Sequence, residues 1–130
     1  MRFRVEKLIR DRLPAMMEAQ GLRVFVRRLD DQEYAASLRQ KLVEEAWEAR
    51  DAASAPSLCE ELADLQEVIL ALAAVEGLTL EEIEAVRLRK RAERGGFDDR
   101  VYNRAVEASP DAPGVGYYLA RPEQYPREDE

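Results

Sequence analysis

Histidine is absent from this 130-residue chain, and cysteine occurs once, at Cys59. The first absence removes a Ser-His-Asp triad, a histidine base and nearly every zinc-enzyme geometry. The second removes an internal disulfide and a thiolate zinc cluster. Long apolar runs are missing too: the longest, residues 68–75, is far short of a membrane span. The amino terminus leads into charged residues rather than an apolar leader core, so a soluble, cytoplasmic protein is expected. Basic residues are the minority, 20 against 27 acids, for a net charge of −7. That balance argues against nucleic acid or an anionic membrane as the main partner, since both need a basic face. Acid–base or metal chemistry must therefore run on carboxylates.

What is present reads as helices with clear punctuation. A chain that is 46% hydrophobic is too apolar for disorder, and its length fits one sizeable core. Asp11 is placed to cap a short helix over residues 12–20, with Pro14 in its first turn and Gly21 ending it. The alternation of Val24 and Val26 in LRVFVRRL predicts a brief extended segment over residues 22–29. Asp30 and Glu33 form a capping-box pattern that opens a long helix to about residue 53. Residues 54–57 read as the break, with Ser57 capping a second long helix to about residue 76, where Gly77 stops it. Thr79 and Glu82 repeat the capping box for a third helix to about residue 94, ended by Gly95 and Gly96.

The second long helix is apolar nearly all round over residues 68–75. Such a helix must be covered on every side, and three helices of one short chain can hardly do so. An oligomer, a homodimer or larger, is therefore expected to complete the bundle. From about residue 107 the composition shifts: four of the six prolines fall there, and residues 109–116 read as irregular chain. The expected division is a helical domain over residues 1–100 and an irregular extension over 101–130.

Two acid pairs stand out. Glu45 and Glu48 on the first long helix are three apart, as are Glu61 and Asp64 on the second. Each pair therefore shares one helix face. A short connection makes the helices antiparallel neighbours, so the pairs can face each other, and four facing carboxylates in a partly dry bundle repel strongly. A hard divalent cation, Mg²⁺ or Mn²⁺, relieves this with oxygen ligands. Lys41 sits four residues before Glu45 as a fixed positive charge. Other pairs, such as Asp30/Glu33 and Glu81/Glu84, share the spacing and read as solvated faces. Asp64 differs because it lies between apolar neighbours, one turn before a run that must be buried.

The ordered motifs EExxE (beginning at Glu44), ExxD (beginning at Glu61), KLIRDRLP over residues 7–14 and ERGGF ending at Phe97 resemble the all-α NTP pyrophosphohydrolase, or MazG-like, superfamily. They look most like its short house-cleaning branch, related to phosphoribosyl-ATP pyrophosphohydrolase. The resemblance implies an all-α bundle and Mg²⁺-dependent cleavage of a nucleoside triphosphate to the monophosphate and pyrophosphate. Carried over by position, it implies Glu45, Glu48, Glu61 and Asp64 as catalytic metal ligands, and Glu44 as their support. Lys7, Arg10, Lys41 and Arg94 are the candidates for substrate phosphates. Trp47 reads as core, Cys59 as a small packed residue, Phe97 as packing back on its helix stop, and Tyr117–Tyr118 as ordinary tail. Two rival readings are a non-catalytic helical interaction module and a biosynthetic enzyme of the phosphoribosyl-ATP type.

Overall fold

A computed structural model describes residues 1–129. It is all-helical, with no strand among the described residues, as expected: α1 Leu13–Ala19, α2 Asp31–Asp51, α3 Ala55–Val75, α4 Leu80–Arg94 and α5 Val115–Leu119. The chain divides into two compact units, Met1–Glu93 and Arg94–Glu130.

In the first unit the capping chemistry sets the helix ends. The Asp30 carboxylate accepts from the Glu33 N–H at 2.8 Å while the Glu33 side chain accepts from the Asp30 N–H, so α2 opens on a full capping box. Thr79 and Glu82 make the same reciprocal pair, at 2.8 and 3.1 Å, ahead of α4. Such a cap contributes about 1 kcal/mol to its helix. Gly77 and Gly95 take φ of +69° and +82°, which only glycine adopts without strain, and the chain leaves α3 and α4 there.

Two helix boundaries and one expected element differ from expectation. Ser54, not Ser57, caps α3: its hydroxyl accepts from the Ser57 N–H at 3.2 Å. The helix starts earlier because Pro56 falls in its first turn, where no backbone donor is needed. Asp11 does not cap α1. Arg12 occupies the cap position in a helical backbone conformation without a side-chain bond. Residues 22–29 form no strand, since no second strand exists to pair with them.

α2 and α3 pack against each other and hold the core, Leu38, Val68 and Ala73. Burying a Leu or Val side chain contributes about 1.5–3 kcal/mol, so Leu38→Ala is the single change that most weakens this pair. The pair covers little else. Ile69 and Val75 on α3 remain exposed, and α4 buries nothing. Trp47 is 58% exposed, contrary to its expected core position. It lies two residues, about 200° of helix, beyond the buried Glu45, so it points the other way. Cys59 is exposed on an uncovered part of α3 rather than packed. Phe97, at 96%, does not pack back, because no apolar surface of its own unit meets it.

The second unit is more ordered than irregular chain. α5 brings Tyr117 and Tyr118 together edge to face at 5.3 Å, and Tyr125 returns to lie 5.1 Å from Tyr118. The Arg121 guanidinium sits 4.0 Å over the Tyr117 ring. Such stacking supplies a small cluster with what its short length cannot bury.

Candidate active site

The α2–α3 pair places one oxygen each from Glu45, Glu61 and Asp64 within 4.8 Å of one another. This follows from local sequence. Glu45 is carried by α2 on its inner face, and Glu61 and Asp64 share a face of α3 at i, i+3 spacing. Glu45 is 7% exposed, the one buried charged residue among those described. Its Oε2 atom and the Oε2 atom of Glu61 are both buried and have no hydrogen-bond partner.

The electrostatics express the same crowding. Burial pushes the Glu45 carboxyl up, and the neighbouring Glu48 and Asp64 carboxylates add to this. Lys41, with Nζ 3.6 Å from Glu45 Oε1, opposes the rise without cancelling it. The Glu61 carboxyl is raised by the same causes, burial first and then Glu48. Glu48 thus stands beside both but is itself exposed and outside the tight trio. An ionised carboxylate held this way needs a cation or a proton.

Besides Lys41, two cations of the amino-terminal segment meet the acids. Arg10 donates to Asp64 Oδ1 at 2.7 Å, and Lys7 donates to Glu44 Oε1 at 2.9 Å. Lys41 Nζ lies 3.8 Å from Glu44 Oε2. The Lys7 ammonium therefore holds the Glu44 carboxyl below its ordinary range, opposite to Glu45 one residue on. Adjacent residues of one motif are thus driven in opposite directions, because Lys7 pairs with Glu44 while Glu45 is buried beside other acids.

Of the residues singled out by sequence, Glu45, Glu61 and Asp64 come together, Glu48 and Glu44 flank them, and Lys7, Arg10 and Lys41 border them. Arg94 is exposed at the end of α4 and falls in the second unit. A wide cleft adjoins the acids, lined by Lys7, Arg10, Lys41 and Glu44 together with residues that sequence reading passed over, among them Phe25 and the arginines around it. Their signal was the arginine density of residues 22–29 in an otherwise acidic chain.

The donor set suits a hard cation. It offers only oxygens, two of them buried and unpartnered, with no imidazole or thiolate nearby. A family model of phosphoribosyl-ATP pyrophosphohydrolase matches residues 4–91, which include all these acids. No curated protein matches the chain, and no solved structure does. No helix of the described residues is long and apolar enough to cross a membrane.

Proposed function

The chain belongs to the phosphoribosyl-ATP pyrophosphohydrolase family, and on that premise we propose that it is a Mg²⁺-dependent enzyme that cleaves nucleoside triphosphates to the monophosphate and pyrophosphate. In this reading it removes non-canonical nucleotides. The observation that carries it is the pair of buried, unpartnered carboxylate oxygens on Glu45 and Glu61. Buried acceptors without donors are rare in folded proteins and call for a ligand.

Glu45, Glu48, Glu61 and Asp64 would hold the cation, with Mn²⁺ as a substitute and Glu44 bracing the cluster through Lys7 and Lys41. A divalent ion bound there supplies charge neutralisation for the polyphosphate and a lowered pKa for a water. Lys7, Arg10 and Lys41 border the acids and orient the phosphate oxygens as fixed cations. A glutamate of the cluster accepts the proton of the attacking water, the new P–O bond forms, and the bond to the pyrophosphate leaving group breaks.

The working form in this reading is a cytoplasmic homo-oligomer. The exposed Leu58, Leu62, Ile69 and Val75 of α3 support it, since a second copy would cover them. In this reading the catalytic domain is residues 1–100 and residues 101–130 extend it; the compact unit that carries the acids is Met1–Glu93. A second reading, a biosynthetic enzyme acting on phosphoribosyl-ATP, is favoured by the family match itself. Pyrophosphate release with Mg²⁺, measured across canonical NTPs, modified NTPs and phosphoribosyl-ATP, separates the two. Preferential turnover of modified NTPs is expected. Turnover confined to phosphoribosyl-ATP supports the second reading, and no release from any substrate refutes both.

A further inference from the structure

Asp64 belongs to the acid trio, yet a cation of the chain already holds it. Arg10 donates to its Oδ1 atom at 2.7 Å, while Glu45 Oε2 and Glu61 Oε2 have no partner. A divalent ion drawn to those two orphaned oxygens therefore meets a third carboxylate that is engaged elsewhere. A guanidinium and a metal ion on one carboxylate are like charges well within one Debye length, so salt does little to screen them. One of the two must yield.

Their surroundings decide which. The Arg10 side chain is 60% exposed and that of Asp64 40%, so the pair is of the weak, solvent-screened kind. A released guanidinium stays in water and regains its hydration at little cost. A cation at the trio, by contrast, satisfies two buried acceptors that lack any donor.

The exchange needs only the Arg10 side chain to move. Its backbone is tied to α1, since the Arg10 carbonyl accepts from the Leu13 N–H at 3.0 Å. Leu8 and Ile9 beside it are half-buried. Lys7 is bonded to Glu44, which lies outside the trio and keeps its partner when the trio is filled. Glu6, next to Lys7, holds a left-handed φ of +49°, a conformation that a non-glycine residue keeps where its surroundings fix it. Lys7 is thus the anchor of the segment, and Arg10 its detachable contact with the trio.

We propose that Arg10 is a displaceable counter-ion, which occupies Asp64 in the metal-free chain and lets go when a divalent cation takes that carboxylate. The amino-terminal segment thereby lowers the affinity of the site for metal, and occupancy of the site decides where the guanidinium goes. This rests on the part of the proposed function that puts a cation at the acids, and not on the reaction catalysed there.

The test is a calorimetric titration of the full, metal-stripped chain with Mg²⁺. Arg10→Gln is expected to bind Mg²⁺ about two- to fivefold tighter than wild type, the range to which loss of one exposed ion pair converts. Arg87→Gln, which breaks a pair with Glu84 on α4, controls for the lost charge and should match wild type. A bracing role for Arg10 gives the opposite sign, weaker Mg²⁺ binding in Arg10→Gln, and that result, like equal affinity, overturns the exchange. The second readout follows Arg10 itself. Its Nε–Hε NMR signal, assigned by its loss in Arg10→Gln, should move to the position of a solvated arginine as Mg²⁺ saturates wild type. A signal that stays in place while Mg²⁺ binds overturns the exchange as well. Circular dichroism confirms that both variants are folded. If wild type binds no Mg²⁺, the exchange and the cation at the acids fall together. If Arg10→Gln binds Mg²⁺ more tightly but wild type turns over no substrate, the proposed reaction fails and the exchange stands.

Discussion

Glu45→Gln tests the acid cluster most directly, because it removes charge while keeping shape. The wild-type carboxylate is 7% exposed, with one oxygen unpartnered and acids on its open side. Leaving a buried polar group unsatisfied costs about 1–3 kcal/mol. Against that stands the Lys41 contact at 3.6 Å, a pair of the kind that contributes about 0.2–1 kcal/mol. An amide at this position loses the Lys41 attraction but gains a donor that can face Glu48 or Asp64. The net is a metal-free fold stabilised by about 1 kcal/mol, or about 4 °C in Tm for a chain of this size. The relation inverts when Mg²⁺ is added. Wild type gains about 2.7 kcal/mol at a hundred times its dissociation constant, and the variant gains much less. Differential scanning calorimetry in EDTA and in Mg²⁺ measures both. Glu81→Gln, on the exposed start of α4, is the control and should leave the Mg²⁺ shift intact. If Glu45→Gln is destabilised in EDTA, or if Mg²⁺ raises both proteins equally, the cluster is an ordinary solvated patch and the reasoning fails.

The raised carboxyls of Glu45 and Glu61 give a signed pH dependence. Their folded pKa values lie above the unfolded ones, so ionisation costs stability at neutral pH. Stability is regained as the pH falls through the folded values toward the ordinary 4.5. In EDTA, the Tm of wild type minus that of Glu45→Gln should therefore rise on acidification, and a flat difference would contradict it. Glu33 behaves oppositely: the Arg27 guanidinium and the Asp30 N–H hold it at about 2, so its contribution is present above 4.5 and lost as the pH falls toward 2. Proton-detected NMR titration should find that midpoint, and Arg27→Gln should move it back up. Light scattering should give about 30 kDa or more, at least twice the 14.9 kDa chain, and a monomer at micromolar concentration would remove the oligomer from the proposal.

Local signals were the most legible part of the sequence. Both capping boxes form because they need only residues three apart, so the starts of α2 and α4 could be read directly. The i, i+3 spacing likewise placed Glu61 and Asp64 on one face, and the antiparallel pairing of α2 and α3 brought Glu45 to them. What escaped depended on distance in sequence. Ser57 reads as the cap from its place after Pro56, but Pro56 lies inside the first turn and the cap is Ser54. Trp47 looked like core on composition, but the side of α2 that faces inward is set by its packing on α3. The cleft arginines lie more than twenty residues apart in sequence, at Arg2 and Arg23, and no pattern within either segment links them.

The distribution of internal cations explains why three acids can gather at all. Asp64 and Glu44, at the rim, are each met by a basic side chain from the amino-terminal segment, Arg10 and Lys7. Those pairs are half-exposed and worth little individually, but they dock residues 7–10 against the acid-bearing helices. The interior oxygens of Glu45 and Glu61 receive no such partner, because arginine and lysine heads remain at the solvent edge where their hydration is kept. The unmet demand is therefore concentrated where a small, strongly coordinating cation fits and a side chain does not. Anchoring the amino-terminal segment has a second consequence, since the same stretch carries Arg2 and Arg4 into the cleft. One short motif, KLIRDRLP, thus borders an electronegative cluster on one side and an electropositive cleft on the other, which under the proposed function would serve the cation and the polyphosphate respectively.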